Sequence, residues 1–448
     1  MPPKKGKSKG KNKPKSKGKS KPRTNQPKKQ KPKIKTSPVV SIQKAITEEK
    51  QKKPKELWKV NPDKQHEFWK TQPVTQFEEK KTEKNEPIKI QTVEEIRKEP
   101  YPLPKEFEWV LTDLTNKEVL DEVYELLKGN YVEDDESTFR FDYSREFLQW
   151  ALFIPNYEKD WHIGVRVVQS KKLVGFITGI PVKIKVMDKI VEMAEINFLC
   201  AHKLIRSKGL APLLIKEVTR RINLKGVFQA FYTAGKKIPT PVASSTYFFR
   251  PINHKKLLDI GFFMAEQNMN LQRYQRIYRL PEKPQIPNLR RFESKDSASV
   301  CKLVNNFLSK FKLSIVFDEK LIEWTFLSRD QVIECWVVEN KQTNEITDLF
   351  SFYTLNSSIL NNNQYDTLNS CYAFYNIATT VTYVDLMKDC LVVAQNKGYD
   401  LMNSLNILDN DIFISELNFK STGGFLHFYL YNWACPDFLP KEIGIPIL

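Results

Sequence analysis

The feature that most restricts the fold of this sequence is an internal repeat of α/β elements. Three landmarks recur at offsets of 176, 174 and 172 residues, namely Phe141 with Phe317, Phe176 with Phe350, and Gly226 with Gly398. Around these landmarks the apolar pattern predicts the same order of strand, helix, strands, helix and strand. A near-constant offset across consecutive elements predicts two copies of one fold. Chance similarity between two stretches of α/β sequence is the alternative.

The positive charge of the chain is confined to its first sixty residues. The whole chain has 71 Lys and Arg against 53 Asp and Glu, a formal charge of +18, but residues 1–60 hold 22 of the bases and only three of the acids. The remainder is nearly neutral, at −1. Residues 1–56 contain too little apolar surface to fold, so we expect a disordered tail. Such a tail suits a polyanion such as ribosomal RNA or an acidic membrane face, or it merely keeps the protein soluble.

Composition excludes several other classes of protein. No apolar run approaches the ~18 residues that a membrane span requires, and Met1-Pro2-Pro3 is followed by lysines rather than by the apolar stretch of a secretory signal. The six cysteines form no CxxC pair and the five histidines do not cluster near them, so we expect no metal site. Sparse, unpaired cysteines are typical of a reducing compartment, and we expect a cytoplasmic protein. No heptad pattern is present, so we expect a monomer.

The second strand–helix junction of the first copy carries a basic, glycine-containing loop. Its sequence is Arg206-Ser207-Lys208-Gly209-Leu210-Ala211, and it follows an apolar strand that ends near Cys200. Small residues let backbone N–H groups approach an anion, and the helix N-terminus adds positive potential. The loop resembles the pyrophosphate loop of acetyltransferase-like (GNAT) folds, which hold coenzyme A; an ordinary helix start is the alternative. The second copy has Thr379-Thr380-Val381 at this place and no equivalent loop.

A longer likeness points to a particular family. The stretch Glu195-Ile196-Asn197-Phe198-Leu199-Cys200-Ala201-His202-Lys203 resembles the signature of eukaryotic glycylpeptide N-myristoyltransferases. Other matching segments are 68–73, 130–135, 139–144, 232–235 and 429–433, so the resemblance spans 57–448. It implies an α/β (α+β) fold in which two pseudo-twofold-related GNAT-like halves are fused around a mixed β-sheet. We expect the disordered basic tail at 1–56, a myristoyl-CoA-binding half at 57–282 and a peptide-binding half at 283–448.

The resemblance also implies a reaction, the transfer of a C14 acyl group from its CoA thioester to the amine of an N-terminal glycine. The sequence has no Ser–His–Asp or Cys–His pattern, and none is needed because the amine is itself the nucleophile. By the resemblance, the backbone N–H groups of Phe198 and Leu199 form the oxyanion hole, and the C-terminal carboxylate at Leu448 is the base. Asn197 and Thr233 would hold the amine. Without the family, Asn197 is an ordinary strand residue and the apolar C-terminus a docking strand.

The same resemblance assigns acyl-CoA binding to three segments. The implied residues are Glu67, Phe68, Trp69, Phe198, Leu199, Cys200, Ala201, Arg206, Ser207, Lys208, Gly209, Leu210 and Ala211. Many members of the family have a second basic residue in place of Gly209. We expect no prosthetic group, since myristoyl-CoA would serve as a co-substrate. We interpret Cys200 as a small core residue and not as a nucleophile.

Positions in both halves are assigned to the peptide groove. The implied residues are Glu133, Asp134, Phe139, Phe141, Tyr143, Tyr247, Ser357, Tyr372 and Asn403. The acidic run 133–136 suits lysines a few residues into a substrate, and a solvated loop is the alternative. The chain departs from the family at 418–424, where Asn-Phe-Lys-Ser-Thr-Gly-Gly replaces a glycine-rich loop with an acidic residue, and at Phe249, which replaces a histidine. Both departures concern the peptide site.

Two other functions remain compatible with the sequence. A short-chain N-acetyltransferase would share the CoA loop but would need no long apolar acyl pocket. A divergent or weakly active acyl-CoA-binding scaffold on ribosomes is suggested by the altered loop at Gly423. The expected partners are myristoyl-CoA, proteins or nascent peptides with an N-terminal glycine, and the ribosome or another polyanion bound by the tail.

Overall fold

The computed structural model describes residues 67–79, 82–134, 137–206, 208–263 and 270–448. The predicted tail at 1–56 lies outside these ranges. So do three residues assigned to the site, namely Asp135, Glu136 and Ser207. None of the helices in the described ranges combines the length and the apolar character that crossing a membrane requires.

Nine α-helices lie in the described ranges. They are Lys117–Asn130 (α1), Arg145–Leu152 (α2), Leu210–Asn223 (α3), His254–Asp259 (α4), Leu271–Ile277 (α5), Ser297–Leu308 (α6), Glu319–Phe326 (α7), Tyr383–Asn396 (α8) and Asp411–Glu416 (α9). Side chains cap several of them. Asn116 accepts hydrogen bonds from the first backbone N–H groups of α1, and Thr382 accepts one from the N–H of Asp385 in α8. Such caps satisfy donors that a helix cannot pair internally.

Seventeen strands lie in the same ranges. They are Phe107–Leu111 (β1), Phe139–Asp142 (β2), His162–Val167 (β3), Leu173–Val186 (β4), Lys189–Ala201 (β5), Ala230–Ala234 (β6), Ala243–Pro251 (β7), Leu289–Arg291 (β8), Leu313–Ile315 (β9), Ile333–Glu339 (β10), Ile346–Thr354 (β11), Asn356–Ile359 (β12), Thr367–Leu368 (β13), Ser370–Ile377 (β14), Leu401–Leu405 (β15), Lys420–Tyr431 (β16) and Ile443–Gly444 (β17). Fourteen of them form one large mixed sheet, and β13, β12 and β2 form a small antiparallel one.

The order of strands in the large sheet shows the repeat directly. In the first half β1, β3, β4, β5 and β6 lie side by side, antiparallel except for the parallel pair β5 and β6. In the second half β8, β10, β11, β14 and β15 repeat this arrangement, with β14 and β15 parallel. Helices α3 and α8 make the crossovers that the two parallel pairs require. The predicted pair of acetyltransferase-like halves around a mixed sheet is confirmed.

The two halves are joined by an exchange of strands. β7 follows β6 in the chain but pairs with β15 of the second half, and β16 follows β15 but pairs with β6 of the first half. β7 and β16 also pair with each other. The predicted boundary between residues 282 and 283 separates the two halves along the chain, but the large sheet continues from one half into the other. The boundary stays a prediction.

Apolar packing brings two helices of the first half onto the central strands. α3 packs on β3, β4 and β5 and buries Leu214, Val218 and Ile222. α1 packs on β4 and β5, and its Val123 belongs to a different apolar cluster that also contains Phe198. Strand β5, which carries the family signature segment, therefore borders on both clusters.

Candidate active site

A cavity of about 450 Å³ lies between α3 and the central strands of the large sheet. Its inner wall is apolar, with Ile215, Val218 and Ile222 from α3, Ile177 from β4 and Ile196 from β5. A cavity of this size with apolar walls and a few polar groups is typical of a site for a small molecule or a cofactor.

Strand β5 carries a β-bulge at the wall of this cavity. The register with β4 shifts there, so that Phe198 and Leu199 together face a single β4 residue, Ile177. Phe198 adopts a φ of 56°, a left-handed conformation that is rare for a bulky residue. The ring of Tyr131, which also lines the cavity, lies 6.0 Å from that of Phe198. The bulge thus brings the backbone of Phe198 and Leu199 to the wall of the cavity.

Two polar side chains line the cavity next to the bulge. Asn197 precedes the bulge on β5, and Thr233 lies on the adjacent strand β6. The Nδ2 atom of Asn197 donates to Oε1 of Glu195 at 2.7 Å. The two residues predicted to hold the amine therefore lie on neighbouring strands, with the predicted oxyanion donors beside them.

The C-terminal residue of the second half reaches the same cavity. β17 pairs in parallel with β9, and the Tyr353 hydroxyl donates to the carbonyl oxygen of Ile447 at 2.8 Å. Ile445 and Ile447 are buried. Leu448 lines both the large cavity and an adjoining one of about 70 Å³ between the two halves. The chain end is held by a strand pair, a hydrogen bond and two buried side chains.

The loop between β5 and α3 contains the predicted pyrophosphate contacts. Gly209 is the N-cap of α3 with a φ of +80°, and a Cβ atom there would meet nothing within 4 Å. The backbone conformation, and not a lack of space, therefore favours glycine. Lys208 and Gly209 are exposed, Ala211 is half-buried and Leu210 is buried. The described part of the loop thus presents a helix N-terminus and a cation to solvent.

Arg206 in the same loop is engaged by the main chain. Its guanidinium donates to the carbonyl oxygen of Asn130, the last residue of α1, and to that of Ala201 at 3.3 Å. Its charge therefore lies at the C-terminus of a helix, where a cation is stabilising. Cys200 is buried beside it, and burial raises the pKa of the thiol to about 12, as expected of a core residue and not of a nucleophile.

The segment at the start of the described chain brings one aromatic ring to the cavity. Trp69 lines it and stacks on Tyr232, with 5.8 Å between ring centroids. Phe68 packs edge-on against Trp69 at 5.1 Å and does not line the cavity. Glu67 is exposed. Of these three predicted acyl-CoA contacts, Trp69 is the one that the structure brings to the cavity.

The predicted groove residues of both halves form a continuous row of rings. Phe141 lies 5.9 Å from Tyr143 and 6.4 Å from Tyr372, and Tyr372 lies 6.5 Å from Tyr247. The row reaches the bulge, because Tyr143 packs edge-on against Phe198 at 5.3 Å. Aromatic pairs at such distances stabilise their mutual arrangement. The structure thus brings together four predicted groove residues that are far apart in the sequence.

Phe141, Tyr143 and Tyr247 line the cavity, whereas Tyr372 and the remaining predicted groove residues do not. Ser357 pairs with Phe141 in the small sheet, and Phe139 packs on Phe262 with 5.6 Å between ring centroids. Asn403 is buried on β15 opposite Phe249. These residues surround the row of rings without lining the cavity.

The described acidic residues of the 133–136 run have internal partners. Glu133 forms ion pairs of 2.8 Å with both Arg140 and Lys203. Burial alone would raise the pKa of Glu133, but hydrogen bonds, first from Lys203, hold it at about 2. Asp134 accepts hydrogen bonds from the backbone N–H groups of Thr138 and Phe139. In this conformation both carboxylates stabilise the turn that leads into β2.

The segment that departs from the family lies at the edge of the cavity. β16 bulges between Ser421 and Phe425 in its pairing with β7, and the exposed Phe425 lines the cavity. Gly423 adopts a φ of +75°. Phe249 packs on Phe262, with 5.1 Å between ring centroids. The substitutions are thus accommodated by an enlarged bulge, in which residues 422–424 of β16 lie opposite Tyr247 of β7, and by an aromatic cluster.

The residues that form the walls of the cavity could not be predicted from the sequence. Ile215, Val218 and Ile222 stand at helical spacing, but that spacing is the same for a helix face packed on a sheet and for one that lines a cavity. Tyr131 and Tyr232 gave no signal beyond their place in matching segments. A strand and a helix on either side of the same volume can be recognised only once the chain is folded.

The fold and the site define a class of protein, an acyltransferase built from two fused acetyltransferase-like halves. The model of the N-terminal domain of myristoyl-CoA:protein N-myristoyltransferase matches residues 87–245, and the model of the C-terminal domain of that protein matches 259–443.

Individual relatives agree. The chain is 47% identical over 355 residues to glycylpeptide N-tetradecanoyltransferase 1 of Arabidopsis thaliana, covering 79% of this chain and 82% of that one. It is 45% identical over 365 residues to the glycylpeptide N-tetradecanoyltransferase of Plasmodium falciparum, covering 81% and 88%. The crystal structure of Saccharomyces cerevisiae N-myristoyltransferase with bound myristoyl-CoA matches with a TM-score of 0.82 and 38% identity over 86% of this chain and 100% of that chain. The chain belongs to the myristoyl-CoA:protein N-myristoyltransferase family.

Proposed function

We propose that this protein transfers a myristoyl group from myristoyl-CoA to the amine of an N-terminal glycine on a protein or nascent peptide. The observation that carries the proposal is the apolar cavity of about 450 Å³, which leads to the Phe198–Leu199 bulge and to Leu448. An acetyl group would leave most of this volume empty, so the cavity favours a long acyl chain. The yeast relative was crystallised with myristoyl-CoA bound. The acyl-CoA acts as a co-substrate, and no prosthetic group takes part.

The C-terminal carboxylate of Leu448 is the proposed base. An α-ammonium group has a pKa of about 8 and must lose a proton before it can attack. The carboxylate of Leu448, a residue that lines both cavities and shares the large one with Asn197 and Thr233, can accept that proton. The amine then attacks the thioester carbon, a C–N bond forms and the C–S bond breaks. The thiolate of CoA leaves and is protonated, so no covalent acyl-enzyme is required.

The bulge on β5 is the proposed oxyanion hole. The thioester oxygen gains negative charge as the amine attacks, and fixed backbone N–H groups stabilise such charge most effectively in a site that excludes water. Phe198 and Leu199 both line the cavity, at the point where the register of β5 against β4 shifts. The backbone N–H groups of these two residues are the proposed donors to the thioester oxygen.

The CoA end of the donor is proposed to bind at the start of α3. The first backbone N–H groups of a helix lack internal partners and carry partial positive charge, so they attract phosphate. Gly209 holds this end of the helix in a left-handed turn, and Lys208 beside it is exposed. Trp69 is proposed to cover the thioester end of the cavity.

The peptide is proposed to lie along the row formed by Phe141, Tyr143, Tyr247 and Tyr372. Rings from both halves make this groove, so its shape depends on the exchange of β7 and β16. Glu133 has two cationic partners in this structure. A substrate lysine would have to compete with Lys203 and Arg140 for it, and the preference for basic peptides should therefore be weak.

The direct test is a transfer assay with the full chain, myristoyl-CoA and synthetic peptides that begin with glycine, read by mass spectrometry. The matched control is the same peptide with an acetylated N-terminus, which leaves no amine to attack. We expect the acyl group on the glycine amine of the free peptide alone. A protein that binds myristoyl-CoA yet modifies no peptide would support the scaffold reading, and equal use of acetyl-CoA would support a short-chain acetyltransferase.

We propose further that the protein is a cytoplasmic monomer whose tail binds a polyanion such as ribosomal RNA. The support is the charge of residues 1–60, which carry 22 Lys and Arg against three acids. Basic segments of this kind bind nucleic-acid phosphates without a sequence code and with a strong dependence on salt.

A further inference from the structure

Glu195 is a buried carboxyl group without a counter-ion. It is 7% exposed, and within the described part of the chain it forms no ion pair with a lysine or arginine. Its partner is the side-chain amide of Asn197, whose Nδ2 lies 2.7 Å from Oε1. Burial raises the pKa of Glu195, and the hydrogen bond from Asn197 opposes that rise. Burying a carboxyl group with so little compensation is unfavourable, so packing alone does not explain its presence.

The position of Glu195 is set by the strand that forms the active site. Residues two apart on a strand share a face, so Glu195 and Asn197 lie next to each other on the same face of β5. Glu195 lines the cavity of about 70 Å³, whereas Asn197 lines the large one, and Leu448 lines both. The Tyr375 hydroxyl borders on the same small cavity and has no hydrogen-bond partner among the described residues.

The hydrogen bond decides which end of the Asn197 amide faces the substrate. An amide has one donor end and one acceptor end, and here the NH₂ group is committed to Glu195. The carbonyl oxygen Oδ1 is therefore the end left for the large cavity. An α-amine donates hydrogen bonds through its protons, so a fixed acceptor can hold it while its lone pair remains directed at the thioester carbon.

We propose that Glu195 is a positioning residue, which binds the Asn197 Nδ2 group and so presents the Asn197 carbonyl oxygen to the glycine amine of the substrate. This inference rests on the proposed transfer reaction. Glu195 touches neither substrate, and it acts through Asn197 alone. It belongs to the amine side of the site, so the binding of acyl-CoA does not depend on it.

The test compares Glu195→Gln, Asn197→Ala and the double variant in the full chain. Glutamine keeps the size of the side chain but offers its own NH₂ group, which competes for Oδ1 of Asn197. We expect Glu195→Gln to lower kcat roughly tenfold, the order of one hydrogen bond to a charged group, with the Kd for myristoyl-CoA unchanged. Because Glu195 acts through Asn197, the double variant should be no slower than Asn197→Ala alone.

The matched control is Glu334→Gln. Glu334 is a buried carboxylate of the second half that pairs with Arg291 and Lys397, so this variant should lower Tm and leave kcat unchanged. Glu195→Asp serves if Glu195→Gln does not fold, and it should also lower kcat without weakening acyl-CoA binding, because the shorter side chain retracts the acceptor.

Three results would overturn the proposal. They are an unchanged kcat in Glu195→Gln, equal losses of kcat and acyl-CoA affinity, and a double variant whose losses multiply. Absence of transfer by the wild-type chain would instead refute the proposed function, so the two failures are distinguishable.

Discussion

The two halves of the molecule treat the same structural position in opposite ways. Each passes from a central strand to a long crossover helix whose first backbone N–H groups have no partners within the helix. In the second half a side chain fills the place before α8. The Asp348 carboxylate on β11 accepts hydrogen bonds from the N–H groups of Thr379 at 2.6 Å, Thr380 at 2.8 Å and Val381 at 3.2 Å. In the first half the corresponding residue of β4 is Val174, which is fully buried and apolar.

The same strand–helix junction can therefore carry an anion of the protein in one half and lack it in the other. Asp348 is completely buried and also accepts from the hydroxyls of Thr347 and Thr380. Burial alone would raise the pKa of Asp348, but these hydrogen bonds hold it below its ordinary value, so the group is ionised. The second half thus carries its own anion at the helix N-terminus. The first half has Gly209 at its helix N-terminus, where we propose that an anion of the ligand binds.

The two halves also contribute different parts of the candidate active site. The first half supplies the bulge and most of the cavity wall, and the second half supplies Leu448 to the cavity and Tyr372 to the row of rings. The half with the built-in anion is therefore the one whose chain end, Leu448, reaches the cavity. Under the proposed function, the first half binds the acyl donor and the second half completes the site.

The largest effect is expected from moving the chain end. Two residues added after Leu448 would displace the carboxylate from the cavity, and we expect kcat to fall by roughly 10²–10⁴-fold, the usual contribution of a positioned base. Acyl-CoA would still bind, because its proposed contacts lie in the first half. Single-turnover transfer and a myristoyl-CoA titration measure the two quantities.

Leu448→Ala is the informative comparison for this prediction. It keeps the carboxylate and removes only the side chain, so it should lose far less turnover than the extended chain. Full activity of the extended chain would refute the assignment of the base and, with it, the proposed role of the second half.

A loss of stability is expected from removing the built-in anion. Asp348→Ala removes a buried carboxylate that accepts from three backbone N–H groups and two hydroxyls, and we expect a loss of about 3 kcal/mol in the free energy of unfolding. Formate should restore part of it, since a small carboxylate can occupy the vacated space. Denaturant titrations with formate, without it, and with chloride as the control salt measure the free energy of unfolding in each case. A parallel loss of myristoyl-CoA affinity would contradict the separation between the two junctions.

The same carboxylate predicts a dependence on pH. The folded-state pKa of Asp348 is below its ordinary 3.8, so its contribution to stability is present above that value and is lost as the pH falls through the lowered value. The difference in unfolding free energy between wild type and Asp348→Ala should therefore be constant near neutral pH and should shrink in acid. A difference that grows as the pH falls would mean that the group is protonated in the folded state.

The repeat, and with it the fold, could be predicted from the sequence because strands and helices leave periodic apolar patterns. Gly226 and Gly398 mark the same position in both copies, with φ values of 83° and 80° after α3 and α8. The exchange of β7 and β16 could not be predicted, because a strand pattern does not specify its neighbour. The role of Asp348 could not be predicted either, since in sequence it is one acid within a strand, and the backbone N–H groups that it binds lie more than thirty residues away.

For the site, residue types were more predictable than their partners. The row of rings and the segment at Asn197 were assigned from the family resemblance, and the structure brings most of them to one cavity. The acidic residue Glu133 was assigned to the substrate, yet in this structure its charge faces Lys203 and Arg140. Spacing along the chain reveals a cluster of charges but not the opposite charges that fold against it.

A smaller effect is expected at the open junction. Gly209→Ala places a side chain at a φ of +80° and should cost about 1 kcal/mol of stability through backbone strain. Gly226→Ala and Gly398→Ala are matched controls, because they carry similar strain at the ends of helices and touch no proposed ligand. We expect Gly209→Ala alone to raise the Kd for myristoyl-CoA several-fold. Equal effects of all three variants on the Kd would show that the first junction is not a ligand site.

The smallest effect on turnover is expected from the part of the chain that belongs to neither half. A chain that begins at Leu57 should keep the kcat and KM of the full chain on free peptides, since the proposed site lies within residues 67–448. It should lose salt-sensitive co-sedimentation with ribosomes, because the excess positive charge of the protein lies in residues 1–60. A full chain with the residues of the tail in scrambled order is the control, and it should still co-sediment if charge alone is recognised. Reduced turnover of the shortened chain on free peptides would mean that the tail is part of the catalytic site. The site would then be built from three segments, the tail and the two halves, and not from the two halves alone.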